Sequence, residues 1–475
     1  MIFILYWLVP SAYRWIMLLG ASLYFYLCFK PIYLVLIAGM TIMSYMCGLL
    51  IERYEDSKRK KLVIWVCVSL FIGTLFVFKY IGFTGEALSA LVPNVGIGLS
   101  EFSKKLIMPI GISFYTFQIL GYVIDVYRGK ISAEKHLGYY ALFVTFFPQI
   151  ASGPIGRAER LLCQYKNPVK FNKKTAYEGL ILIIIGFYKK LVIADMLTAY
   201  VDKVFDNPFV YTGGTLLVAS VFFTIQIYCD FSGYSDIAIG SAKLLGIEFV
   251  ENFRSPYLSS TIKEFWRRWH ISLSTWFRDY VYISLGGNRC SKFRRDINLL
   301  VTFAVSGIWH GANWTFLVWG IIHGAGQIIE NHLPKGLSGK MENNVRSVIQ
   351  GIGWLARVVV VFAFCTFAWI FFRANSVSDA LYIISNIPQG ILTTNHYIRD
   401  GLGNVGILGN IRLVYIAIVI LVLMVCDIFN YDGKITERIY KLPVVVRIVL
   451  MSAFIVFTIV FAQKGVAAEF VYIQF

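Results

Sequence analysis

Long apolar blocks, separated by short charged connections, are the dominant pattern of the chain. A hydrocarbon core of about 30 Å takes roughly 20 helical residues to cross. Four charge-free blocks have about this length: residues 31–51, 106–124, 136–156 and 207–229. Further apolar stretches lie near residues 12–29, 62–82, 177–200, 352–372, 411–429 and 444–463. The pattern predicts an all-α integral membrane protein with about 10 to 13 transmembrane or re-entrant helices.

The longest charge-free block, residues 297–329, carries polar side chains at helical spacing. Intervals of four, four, four and three residues separate Asn298, Thr302, Ser306, His310 and Asn313. Side chains three and four positions apart share one helix face, so we expect all of them on a single, slowly drifting stripe. Polar groups at membrane depth are costly unless they meet partners or line a wet cavity, and by default they mark functional sites. The stripe therefore predicts a functional site around His310 that does not face lipid.

A second segment, residues 264–288, combines aromatic, charged and histidine side chains. An apolar helix face is expected from Trp266, Trp269, Leu273, Trp276 and Tyr280, at intervals of three and four residues. The neighbouring stripe holds Arg267, His270, Ser274 and Arg278, while Glu264 and Arg268 have the i, i+4 spacing of an ion pair. The segment is either an interfacial amphipathic helix or part of a site for an anionic cofactor, since paired charges can persist at membrane depth.

Acidic and small residues crowd into a third segment, residues 225–240. Asp230 and Asp236 lie about 120° apart on an ideal helix of 3.6 residues per turn, so no shared-proton dyad is expected. Gly233 between them indicates either a helix break or a close backbone approach. Hydrogen bonding between helices is the favoured role of the segment, and a direct role in orienting donor or acceptor stays open.

Composition excludes a soluble protein. Hydrophobic residues make up 57% of the 475 residues, charged residues make up 15%, and the mean hydropathy is +0.66, whereas a soluble domain carries about 25% charged residues. The net charge of +17 comes largely from Lys and Arg clusters at residues 52–61, 157–174 and 254–295. Such connections mark the cytoplasmic face, so the charge reflects membrane topology and not nucleic-acid binding. Steering of an anionic donor from the cytoplasm is a compatible further role.

Other features narrow the possible sites and domains. Eight cysteines lie scattered without a CxxC pair, so neither a disulfide framework nor a metal site is expected. The apolar start MIFILYWLVP lacks a basic region and a cleavage site, and it is interpreted as a short membrane segment, not a signal peptide. Neither linker composition nor an internal repeat divides the chain. We therefore expect one integral-membrane domain over residues 1–475, with a motif-bearing core at about 108–325 and transmembrane helices at about 350–475.

Several segments resemble the membrane-bound O-acyltransferase (MBOAT) family, in particular its bacterial branch of alginate O-acetyltransferases. The matching stretches are MPIGISFYTFQILGYVIDVYRG (108–129), FFPQIASGPIGR (146–157), YCDFSGYSDIAIGSAKLLGI (228–247), NFRSPYLSSTIKEFWRRWHISLSTWFRDYVYISLGGNR (252–289), SGIWHGANWTFLVWGIIHG (306–324) and the terminal FVYIQF. They follow the order of the family, and the resemblance as a whole extends over essentially the whole chain.

The resemblance implies a polytopic MBOAT fold around a central tunnel, and acyl transfer from a thioester donor to a hydroxyl. It implies that the family's histidine is His310, in the WHG motif, and that the second catalytic position is His270. The implied donor substrate is cytoplasmic acetyl-CoA, without a permanently bound cofactor. The acetyl group would leave on the other side of the bacterial inner membrane through a partner SGNH-type acetyltransferase or glycan-export machinery. The implied product is an O-acetylated exported or cell-surface polysaccharide.

The side chains fit this chemistry. A neutral imidazole can take the proton of an attacking hydroxyl, which is the role expected of His310. We expect Asn313 to fix the tautomer of His310 or to donate to the thioester oxyanion, and His270 to polarise the carbonyl or orient the acceptor. Further supporting or substrate-orienting positions are Ser306, Trp309, Asp230, Asp236, Glu264 and Asp279. Charge-assisted contacts to the phosphates of coenzyme A are expected from Arg267, Arg268, Arg278 and the basic tract 289–295.

Other functions stay open as alternatives. D-alanyl transfer from a carrier protein to a cell-wall polymer is the nearest enzymatic one, disfavoured by the motifs and the length. A transporter should show paired broken helices in matching halves, which the sequence lacks, and a noncatalytic scaffold leaves the polar stripe without a purpose. His323 lies about 140° from His310 on an ideal continuous helix, so it is expected to serve packing. Nothing in the sequence names the acceptor glycan.

Overall fold

Helices form the regular structure of this protein. The computed structural model describes residues 2–89, 91–151, 153–333, 348–393, 396–403, 405 and 410–462. These residues contain no strand, which confirms the predicted all-α class. They form two compact units. The motif FVYIQF lies outside the described residues.

The first unit comprises Met1–Ile183 and Ala238–Val250. Its helices are α1 (Ile2–Leu8), α2 (Arg14–Leu27), α3 (Ile32–Arg53), α4 (Ser57–Lys79), α5 (Ile81–Ser89), α6 (Pro93–Lys105), α7 (Ile112–Tyr127), α8 (Leu137–Thr145), α9 (Phe147–Ile150), α10 (Ala158–Lys166) and most of α11 (Lys173–Phe187). In this unit α3 packs against α4, α7 and α8. Large aromatic side chains such as Tyr122 and Tyr140 are buried there.

The second unit comprises Ile184–Ile237 and Glu251–Phe475. It contains a π-helical turn, Tyr188–Ala194, at the end of α11. Its helices are α12 (Asp195–Phe205), most of α13 (Gly214–Leu244), α14 (Ile262–Arg268), α15 (Ile271–Phe277), α16 (Lys292–His310), α17 (Trp314–His332), α18 (Val348–Arg373), α19 (Val377–Asn386), α20 (Tyr397–Gly403), α21 (Asn410–Phe429), α22 (Ile435–Tyr440) and α23 (Val444–Phe461). The polar segments singled out in the sequence lie mainly in this unit.

Five described helices are long and apolar enough to cross a membrane: α3, α4, α13, Gly351–Arg373 within α18, and α23. Their surroundings differ. In the most apolar 18 residues of α13, 83% are buried inside the protein, whereas in α23 the share is 6%. Apolar side chains of α23 such as Val445 and Val449 are exposed, as expected of a helix that faces lipid. The chain is a multi-pass membrane protein. The total of 10 to 13 membrane segments stays a prediction, because other apolar helices are shorter.

The charge-free block 297–329 forms two helices and not one. α16 ends at His310, Gly311 is extended (φ −164°, ψ 155°), and α17 begins at Trp314. A Cβ added to Gly307 would lie 2.2 Å from the carbonyl oxygen of Phe316, so glycine is required for the close approach of the two helices. The prediction of one continuous stripe was wrong beyond His310, because tight α16–α17 packing replaces a straight helix.

Candidate active site

His310 lies at the end of α16 in the buried core of the second unit. Its side chain is 4% exposed. The ring centroids of Trp309, Trp319 and Phe372 lie 4.9, 5.0 and 5.3 Å from that of the imidazole, all at steep angles to it. The other members of the stripe on α16, Asn298, Thr302 and Ser306, are buried as well. The predicted stripe therefore exists from Asn298 to His310, and aromatic packing constrains the imidazole at its end.

Asn313 does not continue this stripe. It is the N-cap of α17, where its side-chain oxygen accepts from the backbone N–H of Thr315 at 3.1 Å. Its amide nitrogen donates to the backbone oxygen of Asn375 at 2.8 Å. A capping residue satisfies the N–H groups that a helix leaves without an intrahelical partner at its start. The expected position of Asn313 one helical turn beyond His310 was therefore wrong, and the hydrogen bonds of its side chain favour a structural role over the expected part in the reaction.

His270 lies at a sharp junction between α14 and α15, each of seven residues. Its backbone is left-handed (φ 43°, ψ 54°), a conformation that costs an L-residue about 1–2 kcal/mol. The predicted continuous helix across residues 264–288 was therefore wrong. Two backbone hydrogen bonds stabilise the junction. The N–H of Arg254 donates to the carbonyl oxygen of Arg268 (2.9 Å), and the N–H of Ile271 donates to the carbonyl oxygen of Asn252 (2.9 Å). Strained backbone of this kind clusters at functional sites.

The side chain of Asn252 connects the elements around His270. Its Oδ1 accepts from the backbone N–H of Ser272 (3.2 Å) and from the Ser272 hydroxyl (2.9 Å), and it lies 3.1 Å from Nδ1 of His270. Its Nδ2 donates to the hydroxyl of Ser235 on α13 (3.0 Å). Both Asn252 and His270 are buried, and burial lowers the pKa of His270 to about 3. His270 is therefore a neutral imidazole at physiological pH. Asn252 was not predicted from the sequence, although it begins one of the matching stretches.

A series of buried aromatic rings connects the two histidines. Their centroids are separated by 5.0 to 6.2 Å, in the order His270, Phe253, Trp269, Trp369, Trp319 and His310. Trp269, Trp319 and Trp369 are each at most 1% exposed. Close-packed rings transmit little water and leave few alternative rotamers. The two imidazoles thus belong to one buried, closely packed core.

A cavity of about 740 Å³ adjoins this core. Ile271, which follows His270, and Ser306, one helical turn before His310, both line it, whereas neither imidazole is among its lining side chains. Four of its described lining residues are cationic and none is a carboxylate; the cations are Lys263, Arg267, Arg278 and Arg295. A concave site with one sign of charge attracts ligands of the opposite sign. The cavity is therefore suited to an anionic ligand.

The predicted arginines divide into two groups. Arg267 and Arg278 line the cavity, and so does Arg295 of the basic tract. Arg278 also pairs with Asp279 (2.8 Å), whereas Arg267 and Lys263 form no ion pair within the described residues. Lys263 was not predicted, although it lies in the same basic cluster of the sequence.

Arg268 and Glu264 have a different position. The Nε of Arg268 donates to Glu264 at 2.9 Å, and its guanidinium lies 4.0 Å from the ring centroid of Tyr431. Glu264 also accepts from the backbone N–H of Ser260 (2.9 Å). The predicted pairing of Glu264 with Arg268 is present. These contacts join α14 to the connection between α21 and α22. Arg268 is not among the residues that line the cavity. Its contact with a donor stays a prediction.

The two predicted carboxylates of α13 form buried ion pairs. Asp236 lies 2.8 Å from the ammonium of Lys189, and Asp230 lies 2.7 Å from that of Lys190, which also pairs with Asp195 (2.9 Å). The two lysines come from the π-helical turn, a backbone form that is frequent at functional sites. These lysines were not predicted from the sequence, although two adjacent lysines inside an apolar block were a usable signal.

Gly233 lies within an unbroken α13. A Cβ at this position would lie 2.7 Å from the carbonyl oxygen of Gly186, and a Cβ at Gly186 would lie 2.5 Å from that of Gly233. Of the two alternatives for Gly233, the close backbone approach is therefore confirmed and the helix break is wrong. The approach brings the lysines of the π-helical turn within reach of the carboxylates.

His323 is fully buried on α17, on a different helix from His310. The angle expected on a continuous helix therefore does not separate the two histidines, and both imidazoles contact the ring of Trp319 at a centroid distance of 5.0 Å. The indole N–H of Trp266, a cavity residue, donates to Nδ1 of His323 at 3.3 Å. His323 therefore packs within the aromatic core and orients one side chain of the cavity wall.

Comparison with known proteins gives consistent matches. The model of the MBOAT, membrane-bound O-acyltransferase family matches residues 22–373. The chain is 41% identical over 381 residues to the "Probable alginate O-acetylase AlgI" of Azotobacter vinelandii, which covers 79% of this chain and 73% of the relative. It is 34% identical to the peptidoglycan O-acetyltransferase of Helicobacter pylori, over 78% and 73% of the two chains. The teichoic acid D-alanyltransferase of Streptococcus thermophilus is 33% identical over 48% of this chain and 58% of the relative.

The matched region contains both histidines, the aromatic core and the cationic cavity. Its relatives transfer acyl groups, so this membrane protein is an acyltransferase. The chain belongs to the membrane-bound O-acyltransferase family.

Proposed function

We propose that this protein is an O-acetyltransferase that takes an acetyl group from acetyl-CoA at the cytoplasmic face and delivers it for O-acetylation of an exported or cell-surface polysaccharide. The cationic cavity beside the two histidines is the observation that carries the proposal. The relatives named for O-acetylation of alginate and peptidoglycan support the chemistry and the class of acceptor.

The cavity suits the donor in charge and in source. Coenzyme A carries phosphates that charge-assisted hydrogen bonds from guanidinium groups recognise. All four cations of the wall come from the basic segment 254–295, and positive connections lie on the cytoplasmic side of membrane proteins. Arg267 and Lys263 have no carboxylate partner among the described residues, so their charge is available to a ligand. We therefore assign the donor phosphates to Arg267, Arg278, Lys263 and Arg295.

The histidines perform the transfer in this proposal. His310 takes the proton of the acceptor hydroxyl as that oxygen attacks the thioester carbonyl, the carbon–sulfur bond breaks, and coenzyme A leaves as its thiol. General-base catalysis of this kind contributes about 10²–10⁴-fold. His270 assists at the carbonyl or at the acceptor. The buried rings around both residues exclude water, which would otherwise compete as the nucleophile.

The acceptor reaches the site from the other side of the membrane in this proposal. An SGNH-type acetyltransferase, or the glycan-export machinery, receives the acetyl group there and passes it to the polymer. The bacterial inner membrane is the compartment in which acetyl-CoA and an exported glycan lie on opposite faces of one protein.

D-alanyl transfer is the second candidate, because the D-alanyltransferases match about half of the chain. Mass analysis of surface glycans from cells with and without this gene separates the two. We expect alkali-labile acetyl esters that depend on the gene. Gene-dependent D-alanyl esters with unchanged acetyl content would contradict the proposal.

A further inference from the structure

We infer that Asn252 is a positioning residue that locks His270 as the neutral tautomer with its proton on Nδ1, so that His270 acts through the lone pair of Nε2 as a hydrogen-bond acceptor or base and not as a donor to the carbonyl. The inference rests on the proposed function only where it assigns His270 a part in the transfer. The tautomer itself follows from the hydrogen bonds of the buried junction.

The orientation of the Asn252 amide is fixed by a group that can only donate. The backbone N–H of Ser272 points at one terminal atom of the amide at 3.2 Å, so that atom must be the carbonyl oxygen. The opposite terminus lies 3.0 Å from the hydroxyl of Ser235, which is able to accept from an amide nitrogen. A flipped amide would place two N–H groups against each other at Ser272.

The orientation of the amide determines the proton of His270. The atom that lies 3.1 Å from Nδ1 is the same oxygen, and an amide oxygen only accepts hydrogen bonds. Nδ1 must therefore carry the proton, and in a neutral imidazole Nε2 then has the lone pair. Phe231 and Phe253 face the ring at centroid distances of 4.5 and 6.2 Å, and they present apolar surface. Burial is the cause that keeps this histidine neutral.

The backbone of the junction supports the same assignment. Asn252 also accepts from the N–H of Ile271 through its backbone oxygen (2.9 Å), so one residue holds both the left-handed turn and the ring of His270. A neighbour that fixes the tautomer of a catalytic histidine is needed for the correct nitrogen to face the substrate. With the proton on Nδ1, Nε2 can only accept a hydrogen bond. Of the two roles left open for His270, orienting the acceptor hydroxyl is therefore favoured over polarising the carbonyl.

Nuclear magnetic resonance on the full-length protein in lipid bilayers tests the tautomer without any assay of activity. The protein is labelled with ¹⁵N-histidine, and the His270 signals are identified by their loss in His270→Gln. We expect a protonated Nδ1 and an unprotonated Nε2 between pH 6 and 8, retained in the control Ser235→Ala, which removes a hydrogen bond from the far end of the same amide. A protonated Nε2 in the wild-type protein would overturn the inference.

Two substitutions of Asn252 connect the tautomer to the reaction. Asn252→Ala should release the tautomer and lower kcat by about 10²-fold or more with little change in KM for acetyl-CoA. Asn252→Asp keeps acceptors for the same donors but adds a charge that raises the pKa of His270. Its rate relative to wild type should therefore fall as the pH is lowered from 8 to 5.5, when His270 becomes protonated and loses its lone pair.

The outcomes separate the inference from the proposed function. A changed tautomer in Asn252→Ala with an unchanged kcat would leave the positioning by Asn252 intact and overturn the part of His270 in catalysis. A pH-independent rate ratio for Asn252→Asp, with the His270 signals shown to titrate, would overturn the use of the Nε2 lone pair. If Asn252→Ala fails to accumulate in the membrane, the isosteric Asn252→Asp variant still decides the question.

Discussion

His310 and His270 lie in one buried core, but the backbone around each of them differs. The rings of Trp309, Trp319 and Phe372 lie 4.9 to 5.3 Å from the imidazole of His310, at the end of a helix of 19 residues. His270 lies on a strained turn between two helices of seven residues and is held by hydrogen bonds through Asn252. Ring packing fixes where an imidazole lies, whereas a hydrogen bond to a ring nitrogen also fixes which nitrogen carries the proton.

The surroundings of the two histidines predict which substitutions each of them tolerates. Around His310, changes in volume should matter most, because close-packed rings have no spare space. Around His270, changes in hydrogen-bonding groups of the same size should matter most. Two neighbouring arginines show a similar contrast. Arg267 lines the cavity, whereas Arg268 forms an ion pair with Glu264.

The largest effect is expected from His310→Ala. Loss of a general base should lower acetyl transfer by about 10²–10⁴-fold, while the protein still inserts and accumulates. The measurement is the acetyl-ester content of surface glycans in cells that carry the variant, with membrane abundance checked by immunoblot. His396→Ala, at an exposed position in a connection, is the matched control and should retain wild-type levels. Wild-type acetylation in His310→Ala would remove His310 from the mechanism.

A smaller effect should separate the two adjacent arginines. Arg267→Gln should raise KM for acetyl-CoA about 10-fold, equivalent to about 1.4 kcal/mol of binding, with little change in thermal stability. Arg268→Gln should lower the thermal stability and leave KM for acetyl-CoA nearly unchanged, because it loses the ion pair with Glu264 and the contact with Tyr431. Steady-state kinetics and thermal unfolding of the purified variants measure both. An equal rise in KM for the two variants would contradict the division of roles.

Acidification should weaken the His270 junction. The pKa of folded His270 is about 3, below the ordinary value of about 6.5 for a free imidazole. The unfolded chain therefore binds the proton first, so this stability contribution is complete above about pH 6.5 and is lost progressively as the pH falls towards 3. The apparent Tm of the wild-type protein should decrease by several degrees more between pH 7 and 5 than that of His270→Gln. Parallel pH dependences of Tm in the two proteins would show that folding does not lower the pKa of His270.

The smallest effect is expected at Asn313. Asn313→Asp keeps the N-cap oxygen that accepts from Thr315, so activity should stay within about 2-fold of wild type. Asn313→Ala loses the cap and should lower stability by about 1 kcal/mol, again with little change in kcat for the molecules that remain folded. A loss of kcat as large as that of His310→Ala in both variants would instead place Asn313 in the reaction.

The sequence predicted the class of the protein and the polar stripe that the structure contains from Asn298 to His310, but not the local turns. Apolar block length and the spacing of Asn298, Thr302, Ser306 and His310 are determined by nearby residues, so a periodicity argument captures them. The helix ends at His310 and the left-handed turn at His270 depend on contacts with distant residues, such as Phe316 for Gly307 and Asn252 for His270. Asn252 itself had no local signal, since one asparagine in a connection resembles any other polar residue.

Acetyl transfer is measured most directly in membrane vesicles of opposite orientation. Radiolabelled acetyl-CoA is added outside inverted vesicles, which expose the cytoplasmic face, and outside right-side-out vesicles, each with the wild-type protein and with Arg267→Gln. The account predicts protein-dependent incorporation of label into alkali-labile esters in inverted vesicles only, with the Arg267→Gln rate restored at high acetyl-CoA concentration. Equal incorporation in right-side-out vesicles, or no dependence on acetyl-CoA in either, would contradict it.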